Sequence, residues 1–132
     1  MSNVDIVRSG YEAFARQDIP ALLSLFDDSV EWYSPDELPE GGTYRGPAGV
    51  DEFFAKLPTY YGELHGDPDR FYEVDDRVIV EGRQYGSVVG GAAFECGFAH
   101  FWTLRDGKVT AFREYSDTGR VLSLISPPLT AT

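Results

Sequence analysis

The sequence is poor in basic residues. Eleven lysines and arginines stand against 22 aspartates and glutamates, which gives a formal net charge of -11 and an isoelectric point near 4.4. Nucleic acids and anionic membrane surfaces repel a chain whose acidic charge is uncompensated. We therefore predict that the protein binds neither nucleic acid nor a membrane, and we favour a small molecule as its partner.

Cysteine, long apolar runs and clustered metal ligands are also lacking. Cys96 is alone and cannot form an internal disulfide. No run is long enough to span a membrane, and no basic region followed by an apolar run opens the chain, so we predict a cytoplasmic protein. His65 and His100 lack the neighbouring ligands of a zinc site, and no phosphate loop or dinucleotide fingerprint occurs. We predict no metal and no cofactor.

What the sequence has is enough apolar material for one core. With 132 residues, 42% of them hydrophobic, it predicts a single domain over 1–132, whose segment 119–132 either packs or forms a flexible tail. Apolar spacing and capping residues predict three N-terminal helices. These are a helix over 3–16 with a capping box at Ser2, a short helix capped by Asp18 and ending at Asp27-Asp28, and a helix beginning at Gly46-Pro47.

The remaining segments alternate like strands. Val30 to Ser34 predicts a strand with Trp32 and Ser34 on one face. Residues 35–46 predict a loop able to rim a pocket, and 58–68 a loop with one edge strand. Turns at Asp75-Asp76 and Gly90-Gly91 predict hairpins and therefore an antiparallel sheet.

The last hairpin, residues 94–115, decides which polar side chains share a face. A two-residue turn at Asp106-Gly107 places His100 opposite Arg113, whereas a three-residue loop from Arg105 places His100 opposite Phe112. We choose the three-residue loop because it gathers the largest aromatic residues around the titratable groups. A slip of one residue would turn the whole set over. The chosen face carries Phe98, His100, Trp102, Thr110, Phe112 and Glu114.

The preceding hairpin adds a third strand to this face. Closing the Gly90-Gly91 turn pairs Val89 with Ala92, and counting back places Arg83 opposite Phe98. The third strand then contributes three polar side chains, Glu81, Arg83 and Tyr85.

Several segments resemble the SnoaL-like branch of the nuclear transport factor 2 superfamily, which includes the ketosteroid isomerase-like proteins. They are Asp18–Leu22, Phe26–Trp32, Gly42–Pro47 and Phe101–Asp117, in the order and spacing of that family. The resemblance covers nearly the whole chain. It implies an α+β fold, a cone-shaped barrel of strongly curved antiparallel sheet packed on three helices, with an interior cavity and a homodimer built through the outer sheet face.

The resemblance does not fix the chemistry, because one fold hosts many activities. Against the ketosteroid isomerase pattern, the general-base aspartate falls on Ser34, the oxyanion-binding tyrosine near Gly10 and the protonated aspartate on His100. Against the limonene-epoxide hydrolase pattern, the arginine falls on Arg83 and the two catalytic aspartates on Glu114 and Tyr85. Neither catalytic set is complete.

We predict catalytic roles for His100, Glu114 and Arg83, since a carboxylate and an imidazole in an apolar cavity suit general acid-base work. Two purely structural interpretations stay open. His100 is then a core histidine bonded to a tyrosine or the backbone, and Glu114 forms an ion pair with Arg83. The predicted substrate-binding residues are Trp32, Ser34, Tyr85, Phe98, Trp102 and Phe112.

The predicted function is binding of a small, largely apolar, oxygenated molecule in the barrel, with acid-base chemistry of the isomerase, cyclase, dehydratase or hydrolase type. The alternative is a non-catalytic ligand-binding or dimerisation module of the same fold. The polar cluster on one face favours the first hypothesis.

Overall fold

A computed structural model describes residues 1–125 and has a mixed α+β fold. In chain order, the elements within these residues are α1 (Asn3–Ala15), α2 (Ile19–Leu23), β1 (Phe26–Ser34), β2 (Gly42–Arg45), α3 (Gly46–Tyr60), β3 (Tyr61–Val74), β4 (Arg77–Val88), β5 (Ala93–Arg105), β6 (Lys108–Ser116) and α4 (Thr118–Ile125).

The first two helices begin where their caps predict. The Ser2 hydroxyl accepts a hydrogen bond from the Asp5 backbone N–H at 3.1 Å, and the Asp5 carboxylate accepts one from the Ser2 N–H at 3.3 Å. Asp18 caps α2 through the Ala21 N–H. The helix then ends earlier than predicted, because Phe26 already begins β1.

Two segments predicted as loops contain regular structure. Within 35–46 only 35–41 is loop, since β2 follows. Within 58–68 the predicted edge strand is confirmed as β3, a long strand at the edge of the sheet. The predicted loop is wrong, because α3 continues through Pro58 and β3 follows it directly. Pro68 lies at a register shift of that strand, where a missing N–H is tolerated.

Within the described residues, six strands form one curled, unclosed sheet in the order β2-β1-β6-β5-β4-β3. Neighbouring strands are antiparallel as predicted, except that β1 and β6 are parallel. The helix α1 packs against β3, and α3 packs against β1, so the core lies between the helices and one face of the sheet. We call this the inner face and the opposite one the outer face. The predicted curved sheet on N-terminal helices is confirmed.

The last hairpin combines parts of both predicted closures. Its turn is the two-residue one at Asp106-Gly107, both with positive φ, but one extra residue, Thr110, shifts the register as a β-bulge. His100 therefore lies opposite Glu114, which neither closure predicted. The bulge restores the alternation of the three-residue loop, so five of the six residues predicted for this face share the inner face: Phe98, His100, Trp102, Phe112 and Glu114. The sixth, Thr110, is the extra residue of the bulge.

The preceding hairpin overturns the predicted position of its polar residues. Ser87, not Val89, begins the pairing with β5, which places Arg83 opposite Gly97 and Tyr85 opposite Glu95. The observed register is favoured because it buries the apolar side chains of β4 on the inner face, whereas the predicted register would place them on the exposed outer face. Glu81, Arg83 and Tyr85 therefore lie on the outer face. The apolar residues that fix the register are Val78, Val80 and Val88.

The segment from residue 119 onward packs at least as far as residue 125. It forms most of α4, and Val121 of that helix is buried. The remainder of the predicted tail, including Pro127-Pro128, lies outside the described residues. No helix in the described part of the chain combines the length and the apolarity needed to cross a bilayer.

Candidate functional site

A cavity of about 90 Å³ lies between the inner face and the helices. Aromatic side chains from α1, α3, β1 and the central strands form most of its wall. Seven of the predicted site residues line it, and they come from β1, β5 and β6: Trp32, Ser34, Phe98, His100, Trp102, Phe112 and Glu114.

A chain of hydrogen bonds runs along one wall of the cavity. The Trp102 indole N–H donates to the Tyr11 hydroxyl oxygen at 2.9 Å. The Tyr11 oxygen lies 2.6 Å from Nδ1 of His100, and Nε2 of His100 lies 2.9 Å from Oε1 of Glu114. The side chains of His100 and Glu114 are 11% and 15% exposed, so this pair is nearly enclosed by protein.

One direction of hydrogen bonding uses every donor in this chain. An indole N–H can only donate, so the Tyr11 oxygen accepts from Trp102, and the Tyr11 proton finds an acceptor if it points at Nδ1 of His100. We therefore assign Nδ1 of His100 as an acceptor and Nε2–H as the donor to the Glu114 carboxylate. This neutral tautomer gives every member of the chain a partner. Burial raises the pKa of Tyr11 above its ordinary range, which keeps its hydroxyl a donor.

Aromatic rings hold the imidazole in place. The Phe98 ring stacks on the His100 ring with 3.9 Å between centroids, and the Phe112 ring meets it edge-on at 4.8 Å. The Tyr11 ring lies parallel to His100 at 5.8 Å. Such packing excludes water, and electrostatic interactions inside the wall are stronger because the local dielectric constant is low. The imidazole is therefore fixed in orientation.

Trp32 places an unsatisfied donor in the cavity wall. Its ring stacks on Phe112 at 3.7 Å, and the residue is 5% exposed. Its buried indole N–H has no hydrogen-bond partner among residues 1–125. A buried donor without a partner carries a free-energy cost, which an oxygen of a bound molecule would remove. Ser34, also buried, lies two residues along the same strand.

Glu40 is a cavity residue that the sequence did not reveal. It is 4% exposed, and the Tyr61 hydroxyl lies 2.8 and 3.1 Å from its two carboxylate oxygens. Burial raises the pKa of Glu40; the hydrogen bond from Tyr61 opposes that rise, and the charge of Glu114 adds to it. Burial likewise raises the pKa of Tyr61. Two carboxyl groups thus face one small cavity.

The loop over 35–41 brings Glu40 to the cavity. The Leu38 N–H bonds to the Pro35 carbonyl, and the Gly41 N–H bonds to the Leu38 carbonyl. A β-carbon on Gly41 would lie 1.9 Å from the Pro35 oxygen, so only glycine fits there. The Tyr44 hydroxyl then holds the Glu40 carbonyl at 2.6 Å. The only sequence signal for this arrangement was the glycine-rich and proline-rich loop itself.

Two predicted site residues lie away from the cavity. Arg83 pairs with Glu95 on the outer face at 2.6 Å, with side chains 56% and 60% exposed. Tyr85 is also exposed and its ring stacks on His65. The predicted pairing of Arg83 with Glu114 and the predicted pocket position of Tyr85 are therefore wrong, because both rested on the shifted register.

Tyr11 is the second cavity residue that the sequence left out. It follows Gly10, near which the tyrosine of the ketosteroid isomerase pattern falls, and this was the available signal. Its inward direction comes from α1 packing on the sheet.

In the described part of the chain, no group of three or more histidine, cysteine or acidic side chains is placed to hold a metal ion.

The profile of the SnoaL-like domain family matches residues 7–112. The chain belongs to the SnoaL-like family. The match ends before Glu114, so one half of the histidine–glutamate pair lies outside the matched region. A comparison with curated protein sequences found no match.

Solved structures agree with this membership. An NTF2-like protein of unknown function from Burkholderia pseudomallei is 34% identical, with a TM-score of 0.90 over 96% of this chain and 99% of that one. TerC, co-crystallised with polyporic acid, is 36% identical, with a TM-score of 0.88 over 93% and 97%. A putative SnoaL-like polyketide cyclase from Jannaschia sp. CCS1, 21% identical with a TM-score of 0.80 over 96% and 92%, shares the fold.

Proposed function

We propose that this SnoaL-like domain is an acid-base enzyme that binds a small, largely apolar, oxygenated molecule in its cavity and moves a proton on it. The observation that carries the proposal is the chain Trp102–Tyr11–His100–Glu114, which ends in a carboxylate at the cavity wall. A packed core has no need of a glutamate and a histidine in this position.

Glu114 is the proton acceptor in this proposal. Its carboxylate takes a proton from a carbon or hydroxyl of the bound molecule, and His100 Nε2–H holds the carboxylate in position. His100 is itself held by Tyr11. The Trp32 N–H donates to the ligand oxygen on which negative charge develops, as preorganised donors do in other active sites.

Size and charge restrict the ligand. A volume of about 90 Å³ is far below the ~300–1,000 Å³ typical of pockets that hold drug-sized ligands. Among the described residues, the wall contains two carboxyl groups and neither lysine nor arginine. We infer that the ligand is small and enters without negative charge. The co-crystallisation of TerC with polyporic acid supports an organic ligand for this chain.

The second candidate is a ligand-binding module without catalysis. It is favoured by the fact that both ring nitrogens of His100 already have partners, as in a structural histidine. The cavity would then hold a ligand that leaves unchanged.

One experiment separates the two candidates. Cyclohexanone is added to the protein in D₂O, with cyclohexane as the matched ligand that lacks oxygen. We expect the ketone to shift the NMR signals of the Trp32 indole N–H and of His100, and to gain deuterium at its α-carbons. Glu114→Gln should abolish deuterium uptake, whereas Glu95→Gln on the outer face should not. Binding without uptake would favour the module, and no binding of small oxygenated rings would contradict both candidates.

We also propose a homodimer through the outer face and a cytoplasmic location. The outer face carries a partly exposed cluster in which the Arg113 guanidinium lies over the Tyr33 ring at 4.2 Å and Phe101 meets Tyr115. Aromatic and arginine side chains of this kind are enriched in interfaces. Sedimentation velocity should show a dimer that Phe101→Glu converts to monomer, and a monomeric wild-type protein would contradict the first proposal. A fluorescent fusion tests the location.

A further inference from the structure

The cavity contains a second carboxyl group whose surroundings differ from those of Glu114. Glu114 receives a hydrogen bond from an imidazole N–H and keeps some exposure to solvent. Glu40 is more deeply buried, and its hydrogen-bond donor is the neutral hydroxyl of Tyr61. Within residues 1–125, neither lysine nor arginine lines the cavity beside it.

These surroundings favour opposite protonation states. A buried carboxylate without a cation is costly, so the neutral acid is preferred at such a position. Among the other titratable groups of the cavity wall, Glu114 on β6 strengthens this preference, because its charge raises the pKa of Glu40. The rest are Tyr61 on β3, Tyr11 on α1, His100 on β5, whose Nε2 lies against Glu114, and His65 on β3, which is half exposed and whose Nε2 lies 3.6 Å from Glu63. When two carboxyl groups in one site are separated in this way, one serves as acid and the other as base.

We propose that Glu40 is the proton donor of the site, a neutral carboxylic acid that protonates the substrate oxygen while Glu114 takes a proton from the adjacent carbon. This inference rests on the proposed function and names its reaction class as enolisation of a small ketone. The C–H bond breaks toward Glu114, a carbon–carbon double bond forms, and the carbonyl oxygen takes the proton of Glu40. The ketone and its enol have the same composition, so neither an oxidant nor a second substrate is required.

Infrared spectroscopy tests the protonation state directly. We expect wild-type protein at neutral pH to show the C=O stretch of a protonated carboxylic acid. Glu40→Gln should remove this band, whereas Glu52→Gln, an exposed glutamate of α3, should leave it. Because the Tyr61 hydrogen bond stabilises the carboxylate, Tyr61→Phe should move the loss of the band to higher pH, and Glu114→Gln should move it to lower pH. Absence of the band in wild-type protein, or its survival in Glu40→Gln, would overturn the proposal.

Deuterium uptake by cyclohexanone tests the donor role. General acid catalysis contributes about 10²- to 10⁴-fold, so Glu40→Gln should slow uptake by that factor while cyclohexanone binding is retained. The slowed variant should also lose the decline of rate with rising pH that deprotonation of Glu40 causes in wild-type protein. Uptake at the wild-type rate would contradict the donor role alone. No uptake by wild-type protein would contradict both the proposed function and the donor role, and the infrared band would still decide whether Glu40 is neutral.

Discussion

The two faces of the same three strands carry similar residues in different surroundings. On the inner face, His100 and Glu114 are 2.9 Å apart and nearly enclosed. On the outer face, Arg83 and Glu95 are closer, at 2.6 Å, but more than half exposed. Exposed pairs contribute only about 0–1 kcal/mol because water and salt screen them. Burial, more than distance, therefore decides which pair matters.

The largest expected difference between the faces is in packing. Phe112→Ala should lower the free energy of unfolding by about 3–5 kcal/mol, because the ring is 3% exposed and stacks on Trp32. Tyr85→Ala on the outer face should cost less than about 1 kcal/mol. Urea denaturation of both variants checks this, and similar losses would mean that the inner face is not the core side.

The two hydrogen-bonded pairs, one on each face, should differ in coupling free energy. A double-mutant cycle with His100→Ala and Glu114→Ala should give about 1.5–3 kcal/mol, as for a hydrogen bond to a charged group. The cycle with Arg83→Ala and Glu95→Ala should give about 0.2–1 kcal/mol and fall with salt. Equal coupling in the two cycles would refute the role assigned to burial.

A single hydroxyl on each face gives a finer comparison. Tyr11→Phe leaves the Trp102 N–H and Nδ1 of His100 without their partner, so the free energy of unfolding should fall by about 1–3 kcal/mol. Tyr72→Phe removes an equally short bond to Glu81 in an exposed position and should cost less than about 0.5 kcal/mol. Thermal unfolding of the two variants measures the difference, and a Tyr11→Phe protein as stable as the wild type would exclude the proposed chain.

The smallest effect concerns pH. Because the folded pKa of Glu40 is raised above its ordinary value of 4.5, the folded protein holds this proton more tightly than the unfolded chain. Wild-type stability should therefore fall, relative to Glu40→Gln, as pH rises from about 4.5 to the folded pKa, by at most about 1.4 kcal/mol per pH unit. Chemical denaturation across this pH range measures both free energies of unfolding. If the stability of the wild type instead rose relative to that of Glu40→Gln with increasing pH, the folded pKa of Glu40 would be lowered.

Alternation in β5 and β6 was enough to predict the inner wall. The predicted residues of these strands share a face in any register that differs from the predicted one by two residues, and their aromatic character marks that face as the buried one. They are Phe98, His100, Trp102, Phe112 and Glu114. The pairing of His100 with Glu114 was not predictable from the turn, because the bulge at Thr110 lies beyond it. A bulge is selected by the packing of the whole sheet, which local turn rules do not describe.

The same limit explains the misplaced residues of β4. The Gly90-Gly91 dipeptide predicts a turn, but burial of Val78, Val80 and Val88 sets the register, and Arg83 follows to the outer face. Glu40 and Tyr11 were missed for another reason. They reach the cavity from a loop and from a helix, so their approach depends on tertiary packing that no strand pattern contains.

The most direct single test of the polar wall is the ¹⁵N NMR spectrum of the His100 ring at neutral pH, with and without cyclohexanone. We predict a free protein in which Nε2 carries the proton and Nδ1 does not, and a shift of both nitrogens when the ketone binds beside Glu114. A protonated Nδ1, or ring signals that stay unchanged at saturating cyclohexanone, would contradict the assignment of this wall as a proton-transfer site.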